Sequence, residues 1–248
     1  MSLTDRERER YDRQIIPGGI GEEGQEKLKE SRVVIAGSGG LGSPISLYLA
    51  AAGVGTLRIV DHGRLERSNL NRQVLYNEED IDQSKVVSAK TKLAKLNPDI
   101  EIEIMEETIN AENVSRLVSG CDVIVDAMDS LVARYLLNEA AIKNCVPFIH
   151  GAVYGFEGRA MTIIPGKTAC LECIYQGIVP PEKKNPVIGI TPGVIGCIQA
   201  AEVIKYIIGV GKLLTDVLLI YDGLNQQFSK VRVNKNPGCK KCGHLGGK

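Results

Sequence analysis

The chain has no net charge: across 248 residues, 30 Lys and Arg offset 30 Asp and Glu. It lacks the basic excess of a nucleic-acid binder and the cationic face of a membrane-surface protein, so neither partner is expected. An acidic or neutral protein partner would meet no repulsion. No segment approaches the apolar run that a membrane span needs. Residues 1–10 are charged and lack the apolar centre of a secretory signal. There are no internal repeats and no low-complexity tracts. Seven cysteines are too few and too odd in number for a closed disulfide framework, and four fall in two C-x-x-C pairs, which fits metal binding in a reducing cytoplasm better. A hydrophobic share of 44% suits a globular core.

One stretch organises the rest: Val33-Val34-Ile35-Ala36-Gly37-Ser38-Gly39-Gly40-Leu41-Gly42. It reads as a buried strand, a tight turn and the start of a helix. Gly37, Gly39 and Gly42 match the G-x-G-x-x-G nucleotide fingerprint: the first permits the turn, the second admits a phosphate, and the third lets helix and strand pack closely. The helix start offers unpaired N–H groups to an anion. A second strand, 56–60, ends at Asp61, where an acid can accept the ribose hydroxyls.

In chain order, 1–30 is a charged N-terminal helical segment holding Tyr11-Asp12-Arg13-Gln14, broken at Pro17-Gly18-Gly19. Helix 41–52 stops at Gly53. Beyond Asp61 lies a polar loop with Asn69, Arg72 and Gln73, at the edge where open α/β sheets bind ligands. Helix 84–96 carries Lys85 in its first turn. That placement opposes the helix dipole and is rationalised by a nearby anion. Strands at 100–105, 121–126 and 146–149 alternate with helices at 114–118 and 130–143. The alternation predicts an α/β fold: a Rossmann-like, doubly wound, mostly parallel sheet. After Gly151 the pattern changes. A strand at 159–165, a Pro- and Gly-rich crossover loop at 176–191 and an apolar helix at 194–208 precede two antiparallel strands at 217–221 and 228–233. The helix is expected in the core or at a subunit interface, and 246–248 as a frayed end. The whole of 1–248 is expected to form a single unit, with a nucleotide-binding half at 31–150 and a second half at 151–248.

Cys170, Cys173, Cys239 and Cys242 can complete a tetrahedral four-thiolate zinc site, structural because its shell is closed. The alternative is redox C-x-x-C chemistry, which does not need two distant pairs. His244 lies nearby and is expected at the surface. Cys121, Cys145 and Cys197 are expected in the core as small hydrophobes.

Arg13, Arg72 and Lys85 together exceed what a dinucleotide's single pyrophosphate requires. They suit a triphosphate, with Mg2+ held by a carboxylate. Asp129, just past a strand end, is the candidate ligand; Asp126 is the other candidate, although a residue ending a buried strand is more often positional.

These features, with Asn69-Leu70-Asn71-Arg72-Gln73, Arg134-Tyr135, Gly193-Val194-Ile195-Gly196 and Gln199-Ala200, resemble the MoeB/ThiF/HesA family, relatives of ubiquitin-activating enzymes. The resemblance spans almost the whole chain. It implies ATP-dependent adenylylation of the C-terminal glycine of a small ubiquitin-like sulfur-carrier protein ending in Gly-Gly. It also implies a homodimer in which Arg13 reaches the partner's ATP site. By position, Asp61 would bind the ribose and Gly40 would lie against the phosphates. Asn69, Arg72 and Lys85 would contact the triphosphate, and Asp129 would hold magnesium. The chain departs from the pattern in two places: Ser130 stands where Asn is usual, and the crossover loop, 174–192, has no cysteine. An NAD-dependent oxidoreductase and an inactive nucleotide- or carrier-binding module are the other readings. A carboxylate attacking the α-phosphate is already ionised at neutral pH, so no general base is needed and the reaction calls for alignment and charge neutralisation.

Overall fold

The computed structural model describes residues 2–176 and 185–245. Segment 177–184, which includes half of the crossover loop with Lys183 and Lys184, and the 246–248 end lie outside the described residues.

Two short helices, α1 (Asp5–Arg10) and α2 (Asp12–Ile15), open the chain, and α3 (Gly21–Glu30) follows a turn. A capping box between Thr4 and Glu7 starts α1. Then come β1 (Arg32–Ala36), α4 (Gly42–Ala52), β2 (Thr56–Val60), α5 (Lys85–Leu96), β3 (Glu101–Met105), α6 (Val114–Leu117), β4 (Val123–Asp126) and α7 (Leu131–Asn144). The chain continues through β5 (Phe148–Tyr154), β6 (Glu157–Ile163), α8 (Leu171–Tyr175), α9 (Ile190–Ile208), β7 (Val217–Asp222) and β8 (Gln227–Arg232).

The strands form one eight-stranded sheet in the order β3-β2-β1-β4-β5-β6-β7-β8. The first five are parallel and the last three antiparallel, in agreement with the predicted parallel sheet extended by antiparallel strands. One face packs against α4, α5 and α9 around Ile35, Ile45, Leu57 and Ile195; the other packs against α6, α7 and α8 around Ile124, Leu137, Phe148 and Leu171. Successive strands are added outward from β1 to β2 and β3 on one side and then from β4 to β5 on the other, and this switch between β1 and β4 is where the carboxyl ends of an open sheet leave room for a ligand.

Four expectations need correction. The strand predicted at 146–149 runs on to Tyr154. Gly151 is not a break: a Cβ there would lie 2.2 Å from Oε1 of Gln199, so α9 packing demands the glycine. The apolar helix starts at Ile190, inside the stretch assigned to the crossover loop. By length and composition, α9 is also long and apolar enough to cross a membrane. It packs against α4, β5 and β6, however, and its buried side includes Thr191, Gln199 and Glu202. Finally, only Cys121 of the three remaining cysteines is buried. Cys145 and Cys197 are exposed, because Cys145 is the left-handed C-cap of α7 and Cys197 lies on the outer face of α9.

Candidate active site and cysteine cluster

The glycine turn is held by its neighbours on both sides. The Gly37 N–H donates to Val60 O at 2.8 Å, and the Ala127 N–H donates to Ala36 O at 2.8 Å. Gly37 has φ +100°, and a Cβ on it would lie 2.5 Å from Ala127 O. No side chain caps the N-terminus of α4; the Ser43 N–H donates to Gly39 O at 2.9 Å and Pro44 has no N–H, so the amides of the turn up to Gly42 are the ones placed to meet an anion. In front of Gly39, among the described residues, only Nε2 of Gln73 comes near, 3.7 Å from a built Cβ. That glutamine is buried, and its Oε1 has no hydrogen-bond partner among the described residues. An open glycine cradle beside an orphaned carboxamide oxygen suits a polar ligand.

Asp61 ends β2 and turns back on the loop. Its Oδ2 accepts from the Ser38 N–H at 2.8 Å and its Oδ1 from the Gly63 N–H at 2.7 Å. Each carboxylate oxygen keeps acceptor capacity for a further hydroxyl. Lys85 begins α5, and the point where a side chain on Gly63 would start lies 3.0 Å from Asp61 Oδ1 and 3.3 Å from Lys85 Nζ. Arg72 is half-buried; its Nη1 donates to Ser68 O at 2.9 Å, and its Cγ lies 3.5 Å from a Cβ built on Gly40. Asn69 is buried and closes its own turn, its Oδ1 accepting from the Glu66 N–H at 3.2 Å. Asp129 is exposed just beyond β4.

Arg13 stands elsewhere. Tyr11 and Gln14 fix its segment to the far end of α4: Gln14 Nε2 donates to Ala52 O at 3.1 Å, and Tyr11 covers Gly53. An 11-residue helix is about 16 Å long, and Arg13 is exposed at the end away from the glycine turn.

Tyr76 and His150 escaped the sequence reading. Buried Tyr76 joins the glycine turn to α5: its hydroxyl donates to Ser38 O at 2.9 Å, lies 3.2 Å from Lys85 O, and accepts from the Ser38 hydroxyl. Burial pushes its pKa far up, so it stays a donor. Asp126 and His150 form a fully buried pair, Nδ1 to Oδ2 at 2.7 Å. The only hint in the sequence was their position at strand ends.

The four cysteines converge from the N-terminus of α8 and the C-terminal tail. Sγ–Sγ distances are 4.0 Å for Cys170–Cys173, 3.7 Å for Cys170–Cys239 and 3.5 Å for Cys173–Cys242, and all four lie within 4.8 Å of one another. A tetrahedral shell with metal–sulfur bonds near 2.3 Å has sulfur–sulfur edges of about 3.8 Å, so the cluster is positioned to bind a metal. The Asn236 N–H donates to Cys173 Sγ at 3.4 Å. Exposed His244 stays outside the cluster.

Residues 11–241 match the ThiF family. The chain is 42% identical over 251 residues to the SAMP-activating enzyme E1 of Haloferax volcanii, covering 99% of this chain and 93% of that one. It is 40% identical over 253 residues to the sulfur carrier protein adenylyltransferase of Thermus thermophilus, covering 98% and 93%. Among solved structures, E. coli MccB with MccA-N7isoASN superposes with a TM-score of 0.86 at 26% identity, covering 94% of this chain and 75% of that one. The chain belongs to the ThiF family.

Proposed function

We propose that this chain is an adenylyltransferase that activates the C-terminal glycine of a ubiquitin-like sulfur-carrier protein with ATP. The observation that carries the reading is the grouping of Asp61, Lys85, Arg72 and the uncapped start of α4 around one open glycine turn. The names of the Haloferax and Thermus relatives support the substrate class.

The carrier's terminal carboxylate attacks the α-phosphorus of ATP, the bond to the β-phosphate breaks, and pyrophosphate leaves with the electron pair. Asp61 accepts the ribose hydroxyls, and the amides opening α4 face the phosphates beside Gly40. Lys85, Arg72 and Asn69 meet the charge that develops on the triphosphate, and Gln73 directs its orphaned oxygen at a polar ligand group. Such fixed groups act on charge that grows in the transition state. Asp129 would hold a magnesium ion, which supplies further neutralisation of phosphate charge.

Arg13, about a helix length from its own glycine turn, is assigned to the site of a second copy in a homodimer. The exposed apolar surface formed by Tyr48, Val74, Ile190 and Phe228 supports association of this kind. Zinc is the metal assigned to the four cysteines, as suits an all-thiolate set in a reducing cytoplasm.

The test is carrier-dependent exchange of labelled pyrophosphate into ATP, using carriers that end in Gly-Gly. Exchange with at least one carrier of the host is expected. Failure with every one, or tight NAD binding without ATP binding, would overturn the reading.

A further inference from the structure

Asp126 is the last residue of β4, and the exposed Asp129 follows three residues later. The intervening turn is held by side chains from three directions. Asp126 Oδ1 accepts from the Met128 N–H at 3.1 Å. Arg134 of α7 donates from Nε to Met128 O at 3.1 Å and lies 3.4 Å from Asp126 Oδ2. From behind, His150 Nδ1 meets the same Oδ2 at 2.7 Å. A carboxylate at that distance fixes the proton on Nδ1 and leaves Nε2 as an acceptor. Nε2 lies 3.1 Å from the hydroxyl of Tyr175, which therefore donates to it, and the two rings meet edge-on.

Tyr175 ends α8, the helix that Cys170 precedes as N-cap and that carries Cys173. A single hydrogen-bonded chain thus runs from the cysteine-bearing helix to the Asp129 turn: Tyr175 hydroxyl, His150 ring, Asp126 carboxylate, Met128 amide. Every group in its middle is buried: Asp126 and His150 are both 0% exposed. Such a chain costs a great deal unless each member is satisfied, and when satisfied it fixes one geometry. Burial also keeps the imidazole neutral, below its ordinary value of 6.5, although Asp126 acts to raise it. The charged and titratable groups facing the ring are Asp126 of β4, Arg134 of α7, Arg159 of β6 and Tyr175 of α8.

We propose that His150, locked in one tautomer between Asp126 and Tyr175, is a positioning residue that transmits the placement of α8 to the turn presenting Asp129. The proposal rests on the adenylylation reading for its consequence on rate, but not for its structural claim. His150 touches no reacting atom. Its effect is to hold the Asp129 backbone, and a misplacement of about 1 Å in such a group costs up to about a hundredfold in rate.

The test uses nitrogen-15 NMR of the 248-residue chain together with kinetics. Only His62 and His244 share the histidine spectrum. One histidine should show the Nδ1–H tautomer with a slowly exchanging ring proton, and that signal should vanish in His150→Asn. Tyr175→Phe removes a single oxygen; it should shift the Met128 and Asp129 amides while leaving those of residues 39–42 in place. His150→Asn keeps a donor towards Asp126 but loses the acceptor for Tyr175, and should shift the same amides.

In pyrophosphate exchange, each variant should lower kcat about tenfold or more and raise the Mg2+ concentration for half-maximal rate, with KM for ATP within about twofold. The double variant should be no worse than His150→Asn alone, because both substitutions cut one chain. Unmoved Met128 and Asp129 amides in Tyr175→Phe, or fully additive losses, would overturn the proposal. A parent chain that shows no exchange defeats the adenylylation reading instead, and the amide shifts still decide the role of His150.

Discussion

Gly42 backs onto Gly37 so closely that the first atom of any side chain on it would lie 2.1 Å from the Gly37 carbonyl oxygen. Helix α4 sits this tightly on the turn that follows β1, and neither partner is a flexible side chain that could move aside. Gly42→Ala should therefore cost about 1–3 kcal/mol or more of stability, a fall of roughly 2–10 °C in melting temperature for a chain of this size, and ATP binding should be lost with it. Gly39→Ala meets only Gln73 Nε2, at 3.7 Å. That variant should melt within about 2 °C of the parent yet bind ATP more weakly, because the methyl would occupy the proposed phosphate approach. Thermal melts and ATP titration of the two variants, side by side, separate the structural glycine from the ligand-facing one.

Asp129 and Arg13 are both exposed, so each can be removed without opening the core. Asp129→Ala should lower exchange by at least about a hundredfold, and activity within a few-fold of the parent would remove it from the magnesium role. Arg13→Ala should also be impaired. Mixing the two variants should restore activity towards roughly a quarter of the sites, since half the dimers are mixed and each mixed dimer holds one intact pair. No recovery after subunit exchange confirmed by mass spectrometry would place Arg13 outside the partner's site.

The cysteine cluster should bind one zinc per chain by elemental analysis. Cys173→Ser, or prolonged chelation, should lower the melting temperature by several degrees, because a structural metal contributes directly to folding free energy. A protein containing no metal and melting unchanged after chelation would end that assignment.

His150 predicts the acid limb of stability. Burial depresses its folded pKa below the ordinary 6.5, and the hydrogen bond and charge of Asp126 oppose this without overcoming it. Below 6.5 the unfolded chain therefore takes up a proton that the folded chain refuses. This contribution is full above 6.5 and is lost as pH falls from there towards the lower folded value, by at most about 1.4 kcal/mol per pH unit. Urea unfolding at stepped pH should show that slope, and His150→Asn should flatten it. An unchanged slope in the variant would assign the acid sensitivity to other groups.

Cys197 bears on whether the carrier is ever bound covalently to the enzyme. It is exposed on the apolar side of α9, beside Val194 and Ile198, so reaching it needs no unwinding of the helix. Its surroundings nevertheless raise the thiol pKa by desolvation, whereas a relay cysteine needs thiolate character. No thiol-sensitive adduct of carrier and enzyme is expected on a non-reducing gel after incubation with ATP and magnesium. A band at the summed mass that disappears in Cys197→Ser would make this cysteine an acceptor.

Much of this architecture could be read in the letters because the signals are local. Val33 to Gly42 spells out strand, turn and helix in ten residues, and two C-x-x-C pairs state their own geometry. What stayed hidden depends on contacts distant in sequence. Gly151 marks only a change of pattern in the sequence until Gln199, 48 positions later, is seen filling the space of its missing side chain. A helix as uniformly apolar as α9 gives no clue to which side faces the core, so Cys197 was misplaced. Cys145 follows a helix and precedes a strand, and only the left-handed cap at φ 54° turns it outward. Tyr76 and His150 look like ordinary core residues, because their significance lies in hydrogen bonds to Ser38 and Asp126 rather than in any pattern of neighbours.

The spacing of the cysteine ligands also sets an order of events during synthesis. Cys170 and Cys239 are 69 positions apart, and α9, β7 and β8 all lie between them. A nascent chain that has exposed only the first pair can offer two thiols. The four-sulfur site closes only after the strands completing the sheet have emerged, by which time the earlier β/α units have had the opportunity to fold. Metal capture would thus be a late, sealing step, and a ribosome-stalled chain ending before Cys239 should carry folded early β/α units with no tightly held metal.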